Sequence, residues 1–171
     1  VFEAIKERRS VRAYTSERVS QEEVERLVDT ARWAPSAGNI QPWRFVIVTN
    51  AETKRRLSDA ALHQTFIEEA PVVIVVCVDV VQSSLGYGYR GANLYCLQDA
   101  AAAIENMLLA AHALGLATCW VGAFHEDAAA KAVNTPSNVR PVAIVTVGHP
   151  AEKPRVPPRR SIKKISHYET F

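Results

Sequence analysis

The chain has 171 residues, enough for one substantial core and short for two. Its composition, 48% apolar, 22% charged and 8% aromatic, is that of an ordinary soluble globular domain, and a net charge of +2 does not argue for nucleic acid. Cys77, Cys96 and Cys119 sit in apolar surroundings, are odd in number and form no Cys-x-x-Cys pair, which argues against a disulfide scaffold and against structural zinc.

Val1 opens directly on a charged amphipathic segment without a signal-peptide pattern, and Val72 to Val81 is too short to cross a bilayer, so the cytoplasm is the expected location. Phe2 to Arg8 reads as a short helix. Ser20 with Glu23 forms a capping-box pattern ahead of Val24, Leu27, Val28 and Ala31, a single apolar helical face that should end before Pro35. Trp43 to Thr49 reads as a strand, Ala51 to Ala61 as a helix, and Gln64 to Ala70 as a short helical piece. Val72 to Val78 is apolar without alternation, as a strand covered on both faces requires. Val81 to Asn93, with three glycines and two tyrosines, reads as an irregular loop that could form a lid. Leu94 to Leu114 is the longest helix, Ala-rich and therefore suited to close packing, with Gly115 as its cap. Leu116 to Gly122 is a third strand, Glu126 to Val133 a helix and Val142 to Val147 a fourth strand. Pro150, Pro154, Pro157 and Pro158 then keep the tail extended, so it should lie across a surface, such as that of a second subunit.

Charge is unevenly placed. From Ala151 onward six Lys/Arg face Glu152 and Glu169, so the tail carries +4 and the remainder −2. Composition leaves a solvated tail and a phosphate-reaching tail both open. Neither a Gly-x-Gly-x-x-Gly nor a Walker A pattern occurs, which disfavours Rossmann and P-loop folds.

Two segments concentrate groups that bind ligands. Arg8 and Arg12, four apart, can share one helical face with Ser10 between them and clamp a phosphate; a solvated basic helix end is the plainer alternative. In Pro35 to Trp43, Gly38 permits a tight turn, and Asn39 and Gln41 offer donors and acceptors suited to the edge of a flat heterocycle. A capped turn with Trp43 in the core fits equally well. His63 and His112 read as packing or surface residues and His149 and His167 as incidental, whereas His125 is better placed to touch a substrate. No His or Cys spacing suggests a metal.

Arg8-Arg9-Ser10-Val11-Arg12 with Pro35-Ser36-Ala37-x-Asn39-x-Gln41-Pro42-Trp43 closely resembles the nitroreductase family of flavin enzymes. The resemblance continues in family order through Ala70-Pro71, Asp99, Asn106 to Ala111, Gly115-Leu116, Trp120 to Phe124, Gly148-x-Pro150 and Arg159-Arg160. It implies a single α+β domain over residues 1–171, a three-layer α/β/α fold with a central, mostly antiparallel sheet. It also implies a homodimer whose C-terminal arms, residues 151–171 here, embrace the partner, with FMN at the subunit interface. Arg8, Ser10 and Arg12, joined by Arg9, would contact the FMN phosphate and ring edge, and Arg159 and Arg160 would complete the phosphate site. Pro35, Ser36, Ala37 and Asn39 would act across the interface, Gln64 would contact the ribityl chain or ring, and Gly122 and Ala123 would pass beside the reactive flavin nitrogen. The activity implied is hydride transfer from NADH or NADPH to a nitro compound, quinone or similar acceptor by a ping-pong route, with no side chain acting as catalytic base. A regulatory or storage role for bound FMN, or a dedicated non-nitro oxidant, are the alternatives. The chain lacks the inserted helices of longer members, so only Val81 to Asn93 is available to cover the pocket, which would be more open, with Tyr87, Tyr89 and Arg90 lining it.

Overall fold

The computed structural model describes all 171 residues. In chain order the elements are α1 (Phe2–Glu7), α2 (Gln21–Ala31), β1 (Trp43–Val48), α3 (Ala51–Ala60), α4 (Phe66–Glu69), β2 (Val72–Asp79), α5 (Val80–Arg90), α6 (Cys96–Ala113), β3 (Ala117–Val121), α7 (Glu126–Val133) and β4 (Val139–Gly148). The four strands form one sheet in the order β1-β2-β4-β3, every pair antiparallel.

β2 explains the layering. Because successive strand side chains point to opposite faces, Val72, Ile74, Val76 and Val78 enter one core, while Val73, Val75 and Cys77 enter another. The first core receives Leu27 of α2 and Ala100, Ile104, Met107 and Ala111 of α6. The second receives Leu57 of α3, Ile67 of α4 and Ala129 of α7. An unalternating apolar strand is therefore what a sheet with helices on both faces requires. Burial pushes the Cys77 thiol up to about 12, so it serves the core as a small apolar group.

Helix ends follow local chemistry. Ser20 and Glu23 form the reciprocal capping box expected of them. α6 closes in a Schellman motif: Leu116 N–H donates to the Ala111 carbonyl at 2.8 Å and Gly115 N–H to that of His112 at 3.0 Å.

Two expectations are corrected. The segment 81–93 is mostly helical rather than an irregular loop: α5 is kinked at Tyr87–Gly88, where the dihedrals leave the helical range, and beyond Arg90 a π-helical stretch, Gly91–Tyr95, runs into α6. Asp79 caps α5 by accepting from Gln82 N–H at 3.0 Å. Of the three glycines that suggested a loop, Gly88 alone has positive φ, +54°. At Gly86 a Cβ would meet Ile40 Cδ1 at 2.5 Å, and at Gly91 it would strike the Ser83 carbonyl, so both are close-packing sites inside helices. The second correction concerns the first basic segment. α1 stops at Glu7 and Arg8 is already extended (φ −51°, ψ 134°), so Arg8 and Arg12 do not share a helical face. Residues 10–15 are instead stitched to the sheet edge: Val11 N–H donates to the Thr118 carbonyl at 3.0 Å. Ser10 and Thr118 form a parallel bridge, and Tyr14 pairs antiparallel with Pro150.

Candidate functional site: an arginine-lined cleft at the sheet edge

The extended segment beyond β3 carries Arg8, Arg9, Ser10 and Arg12 to one wall of a 230 Å³ cleft, whose other wall is the C-terminal arm with Arg155 and Arg159. No carboxylate lines this cleft. Its arginines find one carboxylate within salt-bridge reach, Glu105 at 3.6 Å from Arg8 Nε. Arg9 Nη1 donates to the carbonyls of Lys6 and Arg8 at 2.7 and 2.6 Å. The Nε atoms of Arg8 and Arg9 are buried without a hydrogen-bond partner. Guanidiniums gathered at this density repel one another, and buried unpaired N–H groups are costly, so the arrangement is built to receive an anion with several acceptor oxygens.

Tyr14 holds the two walls in register. Its hydroxyl donates to the Val11 carbonyl at 2.6 Å and contacts Thr146 Oγ1 of β4 at 2.5 Å. Its ring packs over Gly148, where any Cβ would come within 2.7 Å of Tyr14 Cδ1. On either side Thr15 N–H donates to the His149 carbonyl at 3.0 Å and Ala151 N–H to that of Ala13 at 2.9 Å. The arm thus leaves the sheet directly against the arginine segment. Burial, the largest influence, pushes the Tyr14 phenol above its ordinary range, so the hydroxyl stays protonated as a donor.

From the cleft, polar and aromatic groups lead toward the end of β3. Arg12 lies 5.8 Å over the Phe66 ring, two residues from Gln64. Gln64 Nε2 donates to the Ala61 carbonyl at 2.9 Å and to the Ala123 carbonyl at 3.3 Å. Gly122 and Ala123 are exposed, and the space above Gly122 is open, with Trp120 Nε1 at 4.0 Å as the nearest atom to a built Cβ. A flat ring can lie against that backbone.

The turn carrying Pro35, Ser36, Ala37 and Asn39 sits elsewhere, at the start of α6, and contributes no residue to the cleft. Ala37 N–H donates to the Asp99 carboxylate at 3.0 Å. Burial pushes the Asp99 carboxyl up, and the Ala37 amide opposes that shift. Ser36 Oγ accepts from Gln41 N–H at 3.0 Å, and Gln41 Nε2 donates to Asn39 Oδ1 at 3.1 Å. Asn39 and Gln41 hold positive φ beside Gly38, a strained turn tied both by its own side chains and by Asp99 and Gln82 from neighbouring helices.

Arg160 lies on the exposed arm and is not among the cleft-lining side chains. Arg155 is the residue that sequence reading did not single out; its spacing of four from Arg159 in a proline-rich extended stretch was the available signal. Tyr87 stacks edge-on to Tyr95 at 5.3 Å, and Arg90 Nε donates to the Tyr95 hydroxyl at 3.1 Å, which packs these side chains against one another; Tyr89 is exposed. His125 is exposed at the start of α7, its N–H bonded to the Ala60 carbonyl at 2.8 Å. His63 pairs with Asp59, His149 lies 3.7 Å from Glu17 and His112 is half-buried on α6. No three His, Cys, Asp or Glu side chains converge as a metal site.

Comparison with known proteins agrees with this geometry. The chain matches the nitroreductase family pattern over residues 5–67 and 60–149. It is 35% identical over 158 residues to a provisionally assigned NADH dehydrogenase/NAD(P)H nitroreductase of Methanothermobacter thermautotrophicus, covering 90% of this chain and 79% of the relative. It is 29% identical over 183 residues to an FMN reductase (NADPH) of Bacillus subtilis, covering 99% and 74%. Among solved structures, B. megaterium NfrA2 superposes with a TM-score of 0.92 at 27% identity, over 99% of this chain and 74% of that one. With the arginine segment, the Pro35 turn and the layered antiparallel sheet all in place, the chain belongs to the nitroreductase family.

Proposed function

We propose that the protein is an FMN-dependent oxidoreductase that takes hydride from NADH or NADPH and delivers it to a small acceptor, a nitro compound or quinone, in two alternating half-reactions. The observation that carries this reading is the carboxylate-free cleft of five guanidiniums, with two buried Nε atoms lacking partners. A phosphate monoester, with about −1.5 to −2 charges and three acceptor oxygens, fits that donor set. The family resemblance and the relatives named for FMN and nicotinamide reactions support the same assignment.

Bound FMN would supply the redox chemistry, a ring that accepts and returns two electrons with a proton. The chain's own residues bind and orient. Arg8, Arg9, Ser10, Arg12 and Arg159 hold the phosphate end, Gln64 meets the polar edge along the way, and Gly122 with Ala123 leaves backbone open for the ring face. Fixing that face parallel to an incoming nicotinamide is the main contribution to rate, because the reaction needs alignment rather than a side-chain base.

The site is completed in a homodimer, where Pro35, Ser36, Ala37 and Asn39 of each subunit reach the other's ring. Phe2, Ile5, Leu85, Ile162, Tyr168 and Phe171 are all more than half exposed, which supports such a partner. No helix is long and apolar enough to cross a membrane.

An anaerobic visible-absorbance titration of the flavin-loaded protein with NADH, and separately with NADPH, tests the reading. Stoichiometric bleaching by either donor is expected. A flavin that stays yellow with both would exclude nicotinamide-dependent turnover and favour a storage or regulatory role.

A further inference from the structure

We infer that Arg155 is a phosphate-binding residue of this chain, paired on the arm with Arg159, and that Arg160 is not needed for the phosphate. The inference rests on the proposed flavin site and refines it. Arg155 and Arg159 both line the cleft opposite Arg8, Ser10 and Arg12, whereas Arg160 does not. The local chain explains the division. Residues 152–160 form no helix or strand, and Pro154, Pro157 and Pro158 hold this stretch extended. Of this stretch Pro154, Arg155, Pro157 and Arg159 line the cleft, and Arg160 does not.

Neither Arg155 nor Arg159 has a carboxylate of its own in reach. The nearest acidic residue on the arm, Glu152, is engaged elsewhere: its Oε1 accepts from Arg12 N–H at 2.6 Å, and it lines the neighbouring cavity rather than this one. That contact also fixes the arm's origin against the arginine segment. The prolines restrict the backbone before any ligand arrives, so less ordering entropy is lost when the guanidiniums close on an anion. An arginine placed two positions before the proline pair thus acts as a fifth cation around a group whose oxygens accept several bidentate bonds.

Flavin binding to the full-length protein, followed by fluorescence, is to be compared for wild type, Arg155→Gln and Arg160→Gln with FMN and with riboflavin, which lacks the phosphate. The expected result is an FMN Kd raised about ten-fold in Arg155→Gln and changed less than about two-fold in Arg160→Gln, with riboflavin unaffected by either. Thermal unfolding in inorganic phosphate provides a readout free of flavin. Wild type should gain stability with phosphate, and Arg155→Gln should lose at least about half of that gain. A phosphate response lost in Arg155→Gln from a wild type that takes up no flavin would uphold Arg155 and sink the proposed function. Equal FMN and phosphate responses in Arg155→Gln and wild type, a larger defect in Arg160→Gln, or a wild type indifferent to phosphate would overturn the inference.

Discussion

A buried hydroxyl with two partners does more than its size suggests, and Tyr14 is the case here. It ties the Val11 carbonyl to Thr146 while its ring covers Gly148. Tyr14→Phe keeps the ring and removes both hydrogen bonds, leaving a carbonyl and a hydroxyl short of a partner. Chemical denaturation should show a loss of about 1–3 kcal/mol; an unchanged midpoint would mean that the ring alone holds the two walls together. Part of the cleft was legible in the sequence: Arg8, Ser10 and Arg12 stood out by chemistry, while Arg159 entered with Arg160 through the family resemblance. Their arrangement was not. A helical spacing of four was read for Arg8 and Arg12, but the bridge from Ser10 to Thr118 spans more than a hundred residues and pulls the segment into the sheet edge. Arg155 went unread because its meaning depends on which side of an extended chain faces the cleft, and that side is set by Pro150 and Ala151 pairing with residues 13–14.

At the scale of elements, the strands and most helices follow from hydrophobic period and capping. α5 is the exception, and the reason is physical. Glycine carries two meanings, a left-handed turn or a close approach, and composition does not separate them. Gly88 has the first meaning; Gly86 and Gly91, pressed by Ile40 and Ser83, have the second. The Asp79-x-x-Gln82 cap was in the sequence and pointed to helix. α7 is anchored in a different way. Arg140 of β4 donates from Nε and Nη2 to both Glu126 carboxylate oxygens at 2.6 Å. Those hydrogen bonds, the largest influence, hold the Glu126 carboxyl below its ordinary 4.5. A carboxyl depressed in the folded state contributes stability that is complete above its unfolded pKa and is lost as pH falls through the folded one. Urea midpoints measured from neutrality to well below pH 4.5 should therefore fall less steeply in Glu126→Gln than in wild type. Since both side chains are more than a third exposed, the difference at neutral pH should stay under about 1 kcal/mol. Parallel curves would show that the pair contributes nothing to acid unfolding.

The whole molecule presents two apolar cores around one sheet and exposed apolar side chains on α1, α5 and the arm. The central apolar strand and the Ala-rich helix made the layered fold readable. The homodimer was read from the family resemblance and the proline-rich tail, and the exposed Phe2, Ile162 and Phe171 now give it a physical motive. Light scattering after size exclusion should give twice 18.9 kDa, and removal of residues 151–171 should shift the mass toward one chain and release flavin. A monomer at every concentration would leave the Pro35 turn without a second site to complete.

The strand order has a bearing on how the protein is made. β2 lies between β1 and β4, but β4 follows it only after α5, α6, β3 and α7 have been synthesised. Val72 pairs with Val147, so at ribosomal speeds of about 5–20 residues per second the first partner of that pair waits on the order of 4–15 s for the second. Throughout that interval the most apolar stretch of the nascent chain has β1 to pair with on one edge and nothing on the other. That open edge is a natural substrate for a holding chaperone, and slowing translation between residues 79 and 139 should cost soluble yield rather than improve it.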